Sequence, residues 1–273
     1  MAAEVFAPAK INLTLHVTGR RADGYHLLDS LVVFADAGDR LQLDPGSGLA
    51  LEVSGLFAEG VPADHRNLVW KAAAGAGWTG RIRLSKQLPH GAGIGGGSSD
   101  AAAVLRAAAG QGSRIPDALP LSLGADVPVC MAARASRMQG IGEQVTPAEL
   151  PPLHALLVNP GAHVPTGPVF SALASRASPP MPQDIPPFAS AEDCAAWLKE
   201  QRNDLEAPAL ALAPVIDRTL ADLRSSRGAL LARMSGSGAT CFALYPTKKA
   251  AHMAAYEISA EHPDWWCSAV TLT

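Results

Sequence analysis

The chain has 273 residues, a formal net charge of −3, 48% apolar residues and 17% charged residues. That length accommodates one large or two modest domains, and the composition is globular rather than disordered. No basic surface for nucleic acid is announced. Met-Ala-Ala-Glu opens the sequence without a basic, apolar leader, so no signal peptide is visible. Leu150–Ser175 lacks Asp, Glu, Lys and Arg, but its five prolines and two histidines exclude a spanning helix. Cysteines 130, 194, 241 and 267 show no CxxC spacing, which points to buried thiols in a reducing cytoplasm rather than zinc or disulfides. HExxH and GxSxG are absent.

In chain order, residues 5–17 read as a strand entered through Pro8, with Lys10, Asn12 and Thr14 on one face. Asp23-Gly24 marks a turn. Leu27–Phe34 and Asp39–Leu43 read as two further strands, the second leaving through the Pro45–Gly48 turn. Asn67–Ala76 reads as a short helix capped by Asn67. Arg81–Leu88 alternates polar and apolar residues as a half-buried strand does. Val127–Ala132 reads as a strand beginning just after Asp126. The stretch around Pro147–Pro152 is the best domain boundary, giving expected domains 1–148 and 149–273. Ala155–Val158 reads as a strand, Asn159–Pro168 as a loop and 178–187 as a surface excursion. Asn203-Asp204-Leu205-Glu206 reads as a helix start with Glu206 placed for a capping box. Leu230–Tyr245 reads as strand, SGSG turn and strand, Lys248–Glu261 as a helix and Ala269–Leu272 as a last strand. Mixed elements in two blocks indicate an α+β protein.

The segment Gly91–Ala102, GAGIGGGSSDAA, carries five glycines in positions 91–97. It lies between the 81–88 strand and an alanine-rich helix, with Ser98, Ser99 and Asp100 where an N-cap would sit. Bare backbone amides and a helix N-terminus carrying about half a positive charge make a seat for phosphate oxygens. A flexible loop is the plainer reading, but the run is short and bounded by periodic segments. Walker A is excluded because no Gly-Lys pair exists. Gly91-Ala92-Gly93-Ile94-Gly95-Gly96 matches GxGxxG, the basis for an alternative nicotinamide-dependent oxidoreductase. The following GQGSRIPDALPLSLGAD offers no second β-strand, so the dinucleotide fingerprint lacks its context. A nucleoside triphosphate site remains.

PAKINL (8–13), RADGYH (21–26), GIGGGSSDAA (93–102), LGADVPV (123–129), GIGE (140–143), NDLE (203–206) and MSGSGAT (234–240) occur in this order. With them the whole chain resembles the galactokinase, homoserine kinase, mevalonate kinase and phosphomevalonate kinase superfamily. PAKINL, DGYH and LGADVP resemble the branch acting on 4-(cytidine 5'-diphospho)-2-C-methyl-D-erythritol. The resemblance implies a two-domain α+β small-molecule kinase with its active site in the cleft between domains. It implies ATP and Mg²⁺ as cofactors, with no metal ligand assigned, and phosphorylation of the substrate's 2-hydroxyl in non-mevalonate isoprenoid precursor synthesis. The expected partner is the cytidine diphosphate substrate, with no nucleic acid, membrane or obligate protein partner, in the cytoplasm.

Carried over by position, the resemblance makes Asp126 the catalytic base and Lys10 its charge partner. Pro89, Gly91, Gly93, Ile94, Gly95, Gly96, Gly97, Ser98 and Ser99 would surround the ATP phosphates, with Asn67 near adenine. Tyr25 and Phe170 would sandwich the cytosine, His26 would bond its edge and the Ile141 backbone would meet the base. Asn12 and Thr166 would contact the diphosphate and erythritol portion. Gly236, Ser237 and Gly238 would support the phosphate loop. The Asn67 helix and the segment between Ala109 and Leu123 are shorter than the family pattern.

Each residue has a plainer role: Asp126 as a loop acid, Lys10 as a snorkelling edge lysine, the aromatics as core and His26 as a surface residue. Ser98 or Ser99 is suited either to Mg²⁺ or to helix capping, capping being the simpler. A homoserine- or mevalonate-type kinase is the main alternative, and Tyr25-His26 argues against it because a small acyclic substrate has no base to stack. A non-catalytic cytidine-nucleotide binder is the third reading, opposed by the presence of both Asp126 and Lys10.

Overall fold

The computed structural model of the chain describes residues 2–273. The elements begin with β1 (Ala3–Asn12), β2 (His16–Arg20), β3 (His26–Pro45) and β4 (Leu49–Ser54). Then come α1 (Leu68–Gly75), β5 (Gly80–Ser85), α2 (Gly96–Gly110), α3 (Leu119–Leu123) and α4 (Val127–Ala132). Further on are β6 (Ser136–Gly140), β7 (Gln144–Pro147), β8 (Leu153–Asn159), α5 (Thr166–Ser171) and α6 (Ala191–Lys199). The chain closes with α7 (Glu206–Leu212), α8 (Val215–Ser225), β9 (Leu231–Met234), β10 (Cys241–Tyr245), α9 (Lys248–Glu261) and β11 (Trp266–Leu272). Contacts divide it into two compact units, neither continuous in sequence. One holds residues up to Lys10 with Ala37–His90 and Gly95–Ala133; the other holds Ile11–Asp36, Gly91–Ile94 and Arg134–Thr273. The expected division at 148/149 follows sequence order, whereas these units follow contacts.

In the first unit, the second half of β3 pairs antiparallel with β5, from Arg40 opposite Ser85 to Pro45 opposite Gly80. β4 runs parallel to β5 on its other side. Alternation aims Leu41, Leu43, Ile82 and Leu84 inward and leaves Arg81 and Arg83 outside. α2 buries Ala101, Ala102, Ala103, Val104, Leu105 and Ala108, so small side chains let α1 and α4 approach it closely. Val127–Ala132 is helix α4 rather than the expected strand. Pro128 sits in its first turn, where a missing N–H costs nothing, and Val127, Val129 and Cys130 are buried.

In the second unit, β2 and the first half of β3 form a hairpin, and β6 joins β3 from Leu28 opposite Gly140 to Val32 opposite Ser136. β11, β8, β10 and β9 lie side by side, all antiparallel. α8 buries Ile216, Thr219, Leu220 and Leu223, the i, i+3, i+4, i+7 stripe of an amphipathic helix. With Ala251, Ala254 and Ile258 of α9 it covers Leu156, Val158, Cys241, Ala243 and Tyr245.

Several expected boundaries move. The 5–17 strand is interrupted, because Leu15 turns aside to bridge Asn203 and its amide bonds to Arg202 O. The two strands expected within 27–43 are the single strand β3. The 178–187 segment has no regular structure, yet Met181 is buried. Its amide donates to Asp29 Oδ2 at 2.9 Å, and Thr14 Oγ1 lies 2.9 Å from its sulfur. Arg137 grips Asp29 through Nε at 2.8 Å and Nη2 at 2.6 Å. Nη1 of the same arginine donates to Pro182 O and Gln183 O. The segment is therefore a strap rather than an excursion.

Asp29→Ala leaves the half-buried Arg137 guanidinium without its carboxylate and the Met181 amide without an acceptor. Loss of one partner of a buried pair costs about 3–5 kcal/mol. Urea denaturation should show a lowered midpoint with an unchanged slope; an unchanged midpoint would mean that the strap contributes nothing to the fold.

Candidate active site

Lys10 lies in β1 among the buried residues Ala7, Ala9 and Ile11, and its own side chain is only 4% exposed. An ammonium there needs a counter-charge. Asp126 supplies it, with Nζ to Oδ2 at 2.8 Å, while keeping its own side chain 30% exposed. Asp126 occupies the position before α4 but caps no amide, so the carboxylate is left for the lysine and for a reacting group. Burial first, and then the Asp126 charge, raise the thiol of Cys130 on α4. The Lys10 side chain runs beside Gly95. A Cβ on Gly95 would stand 3.1 Å from Lys10 Cβ, and the residue has φ +62°, so both space and backbone call for glycine.

The helix that follows starts earlier than expected. Gly96 and Gly97 are already helical, Gly95 is the N-cap, and no side chain caps the end. Ser98 and Ser99 are thus the third and fourth helical residues, and the expected serine cap does not form. Ser99 N–H finds Gly95 O at 2.8 Å, which leaves the amides before it for a ligand. Ser99 Oγ is buried with no partner. Pro89 and Ile94 are buried. Asn67 caps α1 as expected, accepting from Val69 N at 2.9 Å and donating to Pro62 O at 2.7 Å, so its amide is already engaged. A Cβ on Gly97 would stand 3.7 Å from Leu68, which sets the starts of α1 and α2 side by side.

Gly91–Ile94 belong to the second unit, where the SGSG turn meets them. A Cβ on Gly93, at φ +74°, would fall 2.5 Å from Ser235 O and 2.7 Å from Gly238 N. Ser235 Oγ donates to Gly93 O at 3.0 Å and accepts from Asn12 N at 3.1 Å. Thr240 N donates to Ala92 O. The turn around Gly236, Ser237 and Gly238 is itself held by residues that no motif singled out for this task. Asn203 Nδ2 donates to Met234 O and Gly236 O, both at 2.8 Å. Asn159 Nδ2 donates to Thr240 Oγ1 at 2.9 Å. Glu206 forms no capping box: it accepts Met234 N at 2.9 Å, and Leu205 is the N-cap of α7. Thr166 and Ser237 hydroxyls lie 2.9 Å apart. Asn203 and Glu206 lie in NDLE and Thr240 in MSGSGAT, but neither motif told their role in holding this turn, and Asn159 lies in no motif.

His26 stacks on Phe170, with centroids 4.7 Å apart and planes at 26°. Tyr25 is exposed and makes no ring contact among the described residues, so the structure brings His26 rather than Tyr25 against Phe170. Burial, then the charges of Arg20 and Arg176, lower the His26 pKa and keep the ring neutral at pH 7. Ile141 N–H is taken by Glu143 Oε2 at 2.6 Å. Asn12 Nδ2 donates to Ser30 Oγ at 2.8 Å. Among the described residues, buried side-chain atoms without a partner are Asn12 Oδ1, His26 Nε2, Ser99 Oγ, Asp100 Oδ1 and His154 Nδ1. Three of these five belong to residues expected to touch ligands, and unpaired buried polar atoms are rare enough to require an explanation. Sequence reasoning missed Asp39 and Lys86, and it read Asp100 as a cap residue, whereas the three form a buried ion cluster in the first unit. Burial, reinforced by the Asp39 charge, pushes Asp100 up to about 7.

Comparison with known proteins gives the same kinship. The GHMP kinases N terminal domain matches residues 67–145, and GHMP kinases C terminal matches 188–264. A 4-diphosphocytidyl-2-C-methyl-D-erythritol kinase of Dinoroseobacter shibae is 60% identical over 270 residues, covering 98% of this chain and 94% of that protein. A crystal structure of a 4-(cytidine 5'-diphospho)-2C-methyl-D-erythritol kinase superposes with TM-score 0.77 at 35% identity, covering 99% of both chains. The homoserine kinase of Cytophaga hutchinsonii shares the fold, with TM-score 0.66 at 18% identity, over 100% of this chain and 94% of that one. The chain therefore belongs to the 4-diphosphocytidyl-2-C-methyl-D-erythritol kinase family of the GHMP kinases.

Proposed function

We propose that the chain transfers the terminal phosphoryl group of ATP to the 2-hydroxyl of 4-(cytidine 5'-diphospho)-2-C-methyl-D-erythritol, yielding the 2-phosphate and ADP. The reaction is a step of non-mevalonate isoprenoid precursor synthesis. The observation that carries the chemistry is the Lys10–Asp126 pair, a buried ammonium on a partly exposed carboxylate beside Gly95. Asp126 accepts the alcohol proton as the oxygen attacks phosphorus. Lys10 holds that carboxylate in place at 2.8 Å and offsets negative charge developing at the transferring group. Phosphoryl transfer needs positioning and charge neutralisation more than covalent help. The uncapped amides at the start of α2 receive the ATP phosphates.

Recognition of the second substrate rests on His26 Nε2, buried and unpartnered beside the Phe170 ring. A cytosine edge supplies the missing hydrogen bond. Tyr25, exposed beside this pair in sequence, is free to close over the base. Asn12 Oδ1, an acceptor, suits an erythritol hydroxyl, and Thr166 serves the diphosphate and erythritol portion. Magnesium, when bound, neutralises phosphate charge. Ser99 Oγ, a hard oxygen without a partner, fits such an ion held chiefly by the nucleotide. No cluster of three His, Cys, Asp or Glu suited to a metal occurs among the described residues. Residues 1–148 would then carry ATP binding and catalysis, and 149–273 the rest of the substrate side. A cytoplasmic location agrees with four free cysteines, and no helix among the described residues is long and apolar enough to cross a membrane.

Asp126→Asn preserves shape and removes the proton acceptor. Single-turnover transfer with both substrates saturating should slow by about 10²–10⁴, with substrate affinities changed less than about threefold. Wild-type chemistry in this variant would remove Asp126 as the base.

Gly95→Ala should fold, yet lower turnover and weaken ATP binding together, because its Cβ displaces Lys10 and strains the backbone by about 1–2 kcal/mol. Steady-state kinetics with both substrates checks this. Unchanged constants would show that the loop tolerates a side chain at this position.

The lowered pKa of His26 gives a pH signature. The ring is neutral above the ordinary imidazole pKa of about 6.5 and gains a proton only below it. KM for the cytidine substrate should be flat from neutral to alkaline pH and rise on acidification, and His26→Gln should flatten that rise. A wild-type profile without an acid limb, or a variant that keeps it, would take His26 away from the base.

A further inference from the structure

Lys86 lies one residue beyond β5 and leads into the glycine loop, and its side chain is 4% exposed. Its ammonium bonds to Oδ2 of Asp39 and, at 2.7 Å, to Oδ2 of Asp100, the fifth residue of α2. The other oxygen of Asp39 accepts two amides, from Gln87 at 2.6 Å and Leu88 at 2.9 Å. These amides belong to the chain entering the loop, while Asp100 belongs to the helix leaving it. A Cβ on Gly96 would stand 3.5 Å from Lys86 Nζ and 3.8 Å from Asp39 Oδ2, so the cluster lies directly under the first residue of α2.

One ammonium thus joins the entry and the exit of the loop. Stability alone does not account for this cluster. Burying three charges is costly, and apolar residues of similar volume commonly stabilise a protein as well or better. What charges add here is fixed direction. The helix start has no side-chain cap, and its glycines restrain it little, so its free amides need an outside anchor.

We propose that Lys86, with Asp39 and Asp100, is a positioning device that clamps both ends of the glycine loop and so sets the aim of the phosphate-binding amides. All three side chains are buried, so they act through the backbone they hold. The inference rests on the reading of this helix start as the ATP phosphate site. Failure of wild-type enzyme to bind Mg·ATP would overturn that reading, whereas the variants below test the clamp.

Asp100→Ala removes the tie, and Asp100→Asn keeps an oxygen for Lys86. In folded Asp100→Ala enzyme, KM for ATP should rise about tenfold or more, with KM for the cytidine substrate within about twofold of wild type. Asp100→Asn should remain within about threefold for both. In the nucleotide-free protein, hydrogen exchange at the Ser99 amide should quicken in Asp100→Ala and stay near wild type in Asp100→Asn. If Asp100→Ala does not fold, Lys86→Met with Asp100→Leu removes opposite charges together, and the same split in KM is expected. An unchanged KM for ATP, a parallel rise in both KM values, or equal loss in Asp100→Asn and Asp100→Ala would overturn the clamp.

Discussion

A lysine ammonium inside an apolar strand persists only with an anion beside it, and that requirement governs the site. Lys10 meets Asp126, 116 positions away, at 2.8 Å. The pairing fixes where α4 must begin and forbids Asp126 from capping its own helix. The Lys10 side chain also crowds position 95, where a Cβ would stand 3.1 Å from it. A buried charge pair therefore bears on a helix start and on a glycine, two features that look local in the sequence but have a distant neighbour.

The second unit meets a different constraint, close approach of backbone, with mostly neutral groups and one carboxylate. Its two glycine turns approach so closely that Ser235, Asn203, Glu206 and Asn159 must satisfy the backbone polar atoms that strands would otherwise pair. A hydroxyl, two amides and one carboxylate orient the backbone here, and the Glu206 carboxylate has Arg224 3.7 Å away as counter-charge. Each unit thus presents part of the glycine loop on a network of fully specified geometry.

The sequence made the glycine loop, the SGSG turn, α1 with its Asn67 cap and α9 legible, because glycine, asparagine and helical periodicity have direct backbone meanings. It misled where a residue type serves two ends. Val127-Pro128-Val129 looks like strand by β-branching, but Pro128 suits a first helical turn and tertiary burial decides. Ser98 and Ser99 look like caps, but preceding glycines can be helical when the fold holds them. Glu206 has capping-box spacing, yet a strand amide from Met234 is the better donor. Lys86 and Arg137 could not be read at all. Their partners lie 47, 14 and 108 positions away, and nothing local distinguishes a buried ion pair from a solvated charge. Of the candidate site, Lys10, Asp126 and the loop came from motifs. The stacking of His26 on Phe170, in place of an open Phe170 face, is a packing outcome that no motif encodes.

Cys130 carries one more implication. Its thiol is fully buried on α4, four residues after Asp126, and burial with that neighbouring charge keeps it protonated at neutral pH. Only the thiolate reacts with alkylating reagents. The native protein therefore withholds this sulfur from chemistry until α4 opens. Its labelling rate becomes a clock for local opening of the helix that follows Asp126, built into the chain without any added probe.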